Sequence, residues 1–131
     1  MMNVSHLDHL VLTVSNVNVT IDFYHRVLGM EVVEFGEGRK ALRFGEQKIN
    51  LHQHGAEFEP KAQHVQPGSA DLCFITPVPV SEILAHIERQ GVTITDGPVK
   101  RTGAVGPICS VYFRDPDGNL IEVANRLTPS N

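Results

Sequence analysis

Apolar positions along this chain fall into short strand-like runs, interrupted twice by stretches of helical period. Residues 7–14 mix β-branched and large apolar side chains and predict a mostly buried strand. From Val17 the spacing changes. Val17, Ile21, Tyr24 and Leu28 recur every three or four residues and predict one apolar stripe on a helix, closed by Gly29 in the left-handed conformation. Strands are expected next at 30–35, 40–44 and 48–52, with turns around Gly36-Glu37-Gly38 and Gly45-Glu46-Gln47. Residues 56–69 contain Pro60, Pro67 and Gly68, show no period and read as a linker. The order then repeats: a strand at 71–76, a helix at 80–90 with Val80, Ile83, Leu84 and Ile87 on one face, and a strand near 92–95. A long loop rich in Gly and Pro is expected at 96–107, followed by a strand at 108–114. The turn signal Asp115-Pro116-Asp117-Gly118 introduces a last strand at 119–125.

The two halves keep register. His9 and Asp71 open the first strand of each half, and Gly29 and Gly91 end the helices; both pairs are 62 residues apart. A constant offset across a strand and a helix indicates a duplicated βαβββ unit, in which a polar residue at the same place in both copies faces the same surface. The reading is an α+β domain spanning 1–131, built of one module at 7–55, a second at 70–126 and the linker 56–69. At 131 residues the chain is long enough for one core, and each half alone is too small to bury much.

Composition narrows the functions. A hydrophobic content of 41% with 20% charged residues argues against disorder and coiled coil. A net charge of −4 with scattered Lys and Arg offers no footprint for nucleic acid or an anionic membrane. No apolar run approaches the length needed to cross a bilayer, and the first residues lack a signal-peptide pattern, so a cytoplasmic protein is expected. Cys73 and Cys109 stand in strand-like runs rather than in a Cys-x-x-Cys motif, and read as buried free thiols.

Three segments carry a family resemblance: Leu7-Asp-His-Leu-Val-Leu-Thr-Val14, Asp22-Phe-Tyr24 with Val27-Leu-Gly-Met30, and Asp115-Pro-Asp-Gly-Asn-Leu-Ile-Glu-Val123. With the repeat, they resemble the vicinal-oxygen-chelate superfamily of glyoxalase I, extradiol dioxygenases, fosfomycin-resistance and bleomycin-binding proteins. The similarity is greatest to small glyoxalase-domain proteins related to biphenyl-diol dioxygenase, some of them called virulence proteins. The resemblance implies two βαβββ modules forming a curved, cup-like mixed sheet around a divalent metal, usually in a homodimer. It also implies one ligand from the first and one from the last strand of each module. Carried across, these places are His9, Asn50, Asp71 and Glu122.

The residues themselves support part of that set. A neutral imidazole at His9 suits nearly any first-row divalent ion. Glu122 is the one charged residue within 120–124, and a carboxylate buried there needs a metal or a cation. Asp71 is paired with His9 by the repeat. His52 lies two residues beyond Asn50 and faces the same side of its strand; its imidazole is a better ligand than an amide oxygen. The candidate metal ligands are therefore His9, His52, Asp71 and Glu122, with Glu122 also the candidate proton shuttle. Arg101, in the expected loop, is the candidate clamp for an anionic substrate group.

The resemblance implies three functions. The first is a lyase or isomerase of the glyoxalase I type, in which Ni, Zn, Co or Mn stabilises an enediolate formed from a small substrate with vicinal oxygens. The second is an Fe(II) extradiol dioxygenase, for which His9, His52 and Glu122 supply two imidazoles and a carboxylate. The third is a metal-free drug-binding protein, disfavoured by an aromatic content of 6% and the absence of Trp.

Overall fold

The computed structural model describes residues 1–127. They form two compact units, Met1–Pro67 and the part from Gly68 onward. In the first unit the order is β1 (His9–Val14), α1 (Val17–Leu28), β2 (Glu31–Phe35), β3 (Arg39–Phe44) and β4 (Gln47–Gln53). The second repeats it with β5 (Asp71–Ile75), α2 (Val80–Arg89), β6 (Asp96–Gly103), β7 (Gly106–Arg114) and β8 (Leu120–Arg126). Each unit holds a four-stranded mixed sheet, of order β1-β4-β3-β2 and β5-β8-β7-β6. The first and last strands of each unit run parallel and the other pairs antiparallel. The expected βαβββ duplication is thus the observed architecture.

One face of each sheet is apolar and packs on its helix. In the first unit Leu12, Val14, Leu42, Ile49 and Leu51 are buried on that face together with Phe23, Tyr24 and Val27 of α1. In the second, Val111, Phe113, Ile121 and Val123 are buried with Ile83 and Ile87 of α2. The stripe expected at Val17, Ile21, Tyr24 and Leu28 is rotated: α1 buries Thr20, Phe23, Tyr24 and Val27. Phe23 and Tyr24 meet edge to face with centroids 5.6 Å apart, and packing of the two large rings sets which side of the helix faces inward. Asn16 caps α1 by accepting the Val19 N–H, and Gly29 at φ 68° ends it as expected.

The largest departure from the sequence reading lies in the second unit. Residues 92–95 form no strand, and residues 96–103, expected as loop, form β6. Gly and Pro are accommodated at one irregularity. The ladder between β6 and β7 slips between Asp96 and Val99, where Pro98 needs no N–H partner. Gly97 has φ 95°, and a Cβ there would lie 2.3 Å from the Ser110 carbonyl oxygen, so only glycine fits.

The turn into β8 is a buried polar network. Asp115 Oδ1 accepts the N–H groups of Asp117 and Asn119, and its Oδ2 accepts from Asn119 Nδ2 at 2.7 Å. Asn119 Oδ1 in turn accepts the Ala70 N–H, tying the turn to the start of β5. Asp115→Ala would leave buried donors without partners and is expected to cost about 2–4 kcal/mol. A drop in the urea unfolding midpoint with unchanged slope is the expected readout.

Candidate functional site

The polar candidates lie on the sheet faces turned away from the helices. In the first unit, Val11 pairs with Asn50 and Thr13 with His52 across the parallel β1–β4 ladder. In the second, Cys73 pairs with Glu122 across β5–β8. Val11 and Cys73 are themselves 62 residues apart, so Asn50 is the structural counterpart of Glu122, as the repeat implied.

His9 and His52 line one cavity of the first unit, about 190 Å³ in volume, with Phe35, Arg39, Asn50 and Glu59. His9 itself is exposed, at the start of β1. Its Nδ1 lies 2.8 Å from Asp8 Oδ2, a pairing that fixes the ring and leaves Nε2 for a ligand. That contact holds the Asp8 carboxyl below its ordinary range. His52 is buried, with 7% of its surface exposed. Burial, reinforced by the charge of Arg39, lowers its pKa from the ordinary 6.5, so the imidazole is neutral at pH 7. Both His52 Nδ1 and Asn50 Oδ1 are buried without a hydrogen-bond partner among the described residues. The two atoms belong to residues of one strand face that line the same cavity, where a bound ion, ligand or water would satisfy them.

In the second unit Glu122 is half-buried in a central strand, and Ser110 Oγ donates to its Oε2 at 2.5 Å. Ser110 has no exposed surface. Tyr112 faces the same side and accepts from Arg101 Nε at 3.0 Å. Burial and the nearby Glu122 carboxylate push the Tyr112 hydroxyl up, against the opposing pull of Arg101. Asp71 begins β5 and is exposed on the same face as Cys73. Contrary to the expectation of buried thiols, Cys73 is exposed and Cys109 half-exposed. Partial withdrawal of the Cys73 sulfur from water and the adjacent Glu122 carboxylate push its thiol up to about 11.

Arg101 also departs from expectation. It stands in strand β6 rather than in a mobile loop, bonded to Tyr112 and 3.5 Å from Asp96 Oδ2. The expected ligands divide into His9 with His52 in the first unit and Asp71 with Glu122 in the second. Among the described residues no three His, Cys, Asp or Glu side chains form a metal-holding group. Within the first unit the donor types suit a borderline divalent ion, with two imidazoles, one neutral by burial, and an amide oxygen; the second unit holds the positioned carboxylate of Glu122.

Several participants escaped the sequence reading. Asp8 was legible as the neighbour of His9, and Ser110 as the residue two before Tyr112 on one strand face. Phe58 gave no signal, since it lies in the aperiodic linker; its ring meets His52 edge to face at 5.6 Å.

Residues 6–123 match the profile of the Glyoxalase/Bleomycin resistance protein/Dioxygenase superfamily. The chain belongs to that superfamily. Virulence protein STM3117 of Salmonella typhimurium is 58% identical over 94% of this chain and 85% of its own length. An integron cassette protein of V. cholerae, VCH_CASS1, is 65% identical with a TM-score of 0.95, covering 97% of this chain and 99% of the other. More distant superfamily relatives include the metallothiol transferase FosB of Staphylococcus epidermidis, 25% identical over 93% of this chain and 82% of the relative. A lactoylglutathione lyase of Agrobacterium tumefaciens is 25% identical with a TM-score of 0.72, covering 94% and 95% of the two chains. Superfamily membership accounts for the paired βαβββ units, and no helix among the described residues is long and apolar enough to cross a membrane.

Proposed function

We propose that this protein is a divalent-metal-dependent lyase or isomerase acting on a small substrate with two adjacent oxygens, and that it works as a homodimer in the cytoplasm. The observation that carries the reading is the Ser110–Glu122 hydrogen bond, which fixes a carboxylate on the open face of a sheet. Superfamily relatives named for metallothiol transfer and for lactoylglutathione support the choice. His9, His52, Asp71 and Glu122 are the proposed ligands. A bound Ni²⁺, Zn²⁺, Co²⁺ or Mn²⁺ supplies Lewis acidity toward the paired substrate oxygens.

The remaining chemistry belongs to the chain. Glu122 takes the proton from the carbon bearing one substrate oxygen and returns it to the neighbouring carbon. Ser110 holds Glu122 Oε2, so the carboxylate keeps its plane through both transfers. Asp8 keeps His9 oriented, and burial keeps His52 unprotonated.

Hydrogen exchange tests the reading. Metal-loaded protein in D₂O should exchange the proton on the hydroxyl-bearing carbon of lactoylglutathione or of small α-hydroxyketones, and chelator-treated protein should not. Absence of exchange across that panel would overturn it. The second reading, an Fe(II) extradiol dioxygenase, rests on His9 and His52 sharing one cavity. Oxygen uptake with catechol by iron-loaded protein would favour it instead.

A further inference from the structure

The first unit's cavity has a second feature that metal binding leaves unused. Arg39 lines it with its guanidinium carbon 4.0 Å from the Phe58 ring centroid and 5.8 Å from that of Phe35. Lys48 Nζ sits 3.9 Å from the same Phe35 ring. Other cations of this sheet are paired: Lys40 with Glu34 and Arg43 with Glu31. Arg39 and Lys48 have no ion pair among the described residues. Glu59, on the cavity wall, is engaged by Lys61 at 3.2 Å. Two cations flanking one aromatic ring repel each other, and an anion placed beside them relieves that repulsion.

The geometry also says how the anion would bind. A guanidinium carries its N–H donors in a planar fork that matches a planar oxyanion in bidentate contact. His52, a side chain more than nine-tenths buried, stands on the same wall, its ring left to the metal. Phe35, Val11 and Pro60 complete an apolar lining. A volume near 190 Å³ slightly exceeds the roughly 150 Å³ that encloses a benzene ring, so the cavity takes a small fragment and not a peptide.

We propose that this cavity is the recognition site for a carboxylate or phosphonate on a small apolar body, with Arg39 as the residue that selects the negative charge. This deepens the function proposed above, on which it rests for the idea that the anion belongs to the substrate. Arg39 would then select the anionic group, for which the sequence offers Arg101 as a candidate clamp.

Binding of benzoate and of its neutral analogue benzamide tests the assignment, titrated by calorimetry or ligand-observed NMR into full-length protein, with and without metal. Metal-free wild type should bind benzoate at least about tenfold tighter than benzamide, since a hydrogen-bonded charge pair is replaced by a neutral contact. Arg39→Gln should remove that preference, leave benzamide binding unchanged and retain the wild-type metal content; Arg39→Lys should restore it only in part. Equal benzoate affinity in wild type and Arg39→Gln, or no benzoate binding, would overturn the assignment. Benzoate binding that requires metal and ignores Arg39 would also overturn it, while leaving the metal reading standing. Arg39-dependent benzoate binding in a protein that takes up no metal would sustain the assignment and remove the proposed lyase. Should Arg39→Gln fail to fold, methylphosphonate must displace benzoate from wild type where neutral dimethyl methylphosphonate does not; equal displacement by both would refute it.

Discussion

Glu122→Gln is expected to lower turnover by about a hundred- to ten-thousandfold, the range that a positioned general base contributes. Glutamine keeps the side chain's length and still accepts the Ser110 hydrogen bond, so the strand pairing that places it need not change. What disappears is the proton acceptor. The comparison requires saturating metal in both proteins, so that weakened ligation is not read as lost proton transfer. Turnover within a few-fold of wild type under those conditions would remove Glu122 from the proton path.

His52→Ala is expected to weaken metal binding by more than the 10- to 100-fold that loss of an outer-shell partner typically costs. Burial prepares this side chain for ligation. His52 is 7% exposed, has an unsatisfied Nδ1 and is held neutral by its surroundings, so it needs no proton removed before it ligates at pH 7. The lowered pKa gives a sign for pH dependence: protonation competes with metal only below the imidazole's depressed value. Metal should therefore stay bound as pH falls past the ordinary histidine value of 6.5, and leave at lower pH. Competition against a metallochromic chelator measures the affinity, and the unfolding midpoint of metal-free variant and wild type separates ligation from packing. Unchanged metal affinity would assign the orphaned nitrogen to another ligand.

The sequence made the fold legible where two signals agreed. Strand periodicity, the helix closed by Gly29 and the 62-residue offset all pointed to one duplicated unit, and β1–β4 and β5–β8 pair as that symmetry demands. It misled where a residue type carried more than one meaning. Glycine and proline at 97 and 98 read as loop, yet in β6 they serve a ladder irregularity and a close approach to Ser110. Arg101 was thereby placed on a lid, whereas the strand bonds it to Tyr112. The α1 stripe was rotated because regular spacing alone does not say which of two adjacent rings, Phe23 or Tyr24, is buried; both are.

Site residues followed the same division. The candidate ligands His9, Asn50, His52, Asp71 and Glu122 were proposed from their places on first and last strands. The groups that tune them were harder to see, because they come from other elements. Ser110 reaches Glu122 across β7–β8, and Phe58 reaches His52 from the linker, through contacts that no local pattern encodes. Arg39 was overlooked for a related reason: its meaning lies in having no ion pair among the described residues, which only the folded arrangement reveals.

Metal content per chain tests the central claim most directly, measured by elemental analysis on protein purified without chelator or metal-affinity tag and on Glu122→Ala prepared identically. Roughly one Ni, Zn, Co or Mn per wild-type chain is expected, as a single Lewis-acid site requires, with a clear loss in the variant. No metal in wild type, even after reconstitution, or full occupancy in Glu122→Ala, would contradict it.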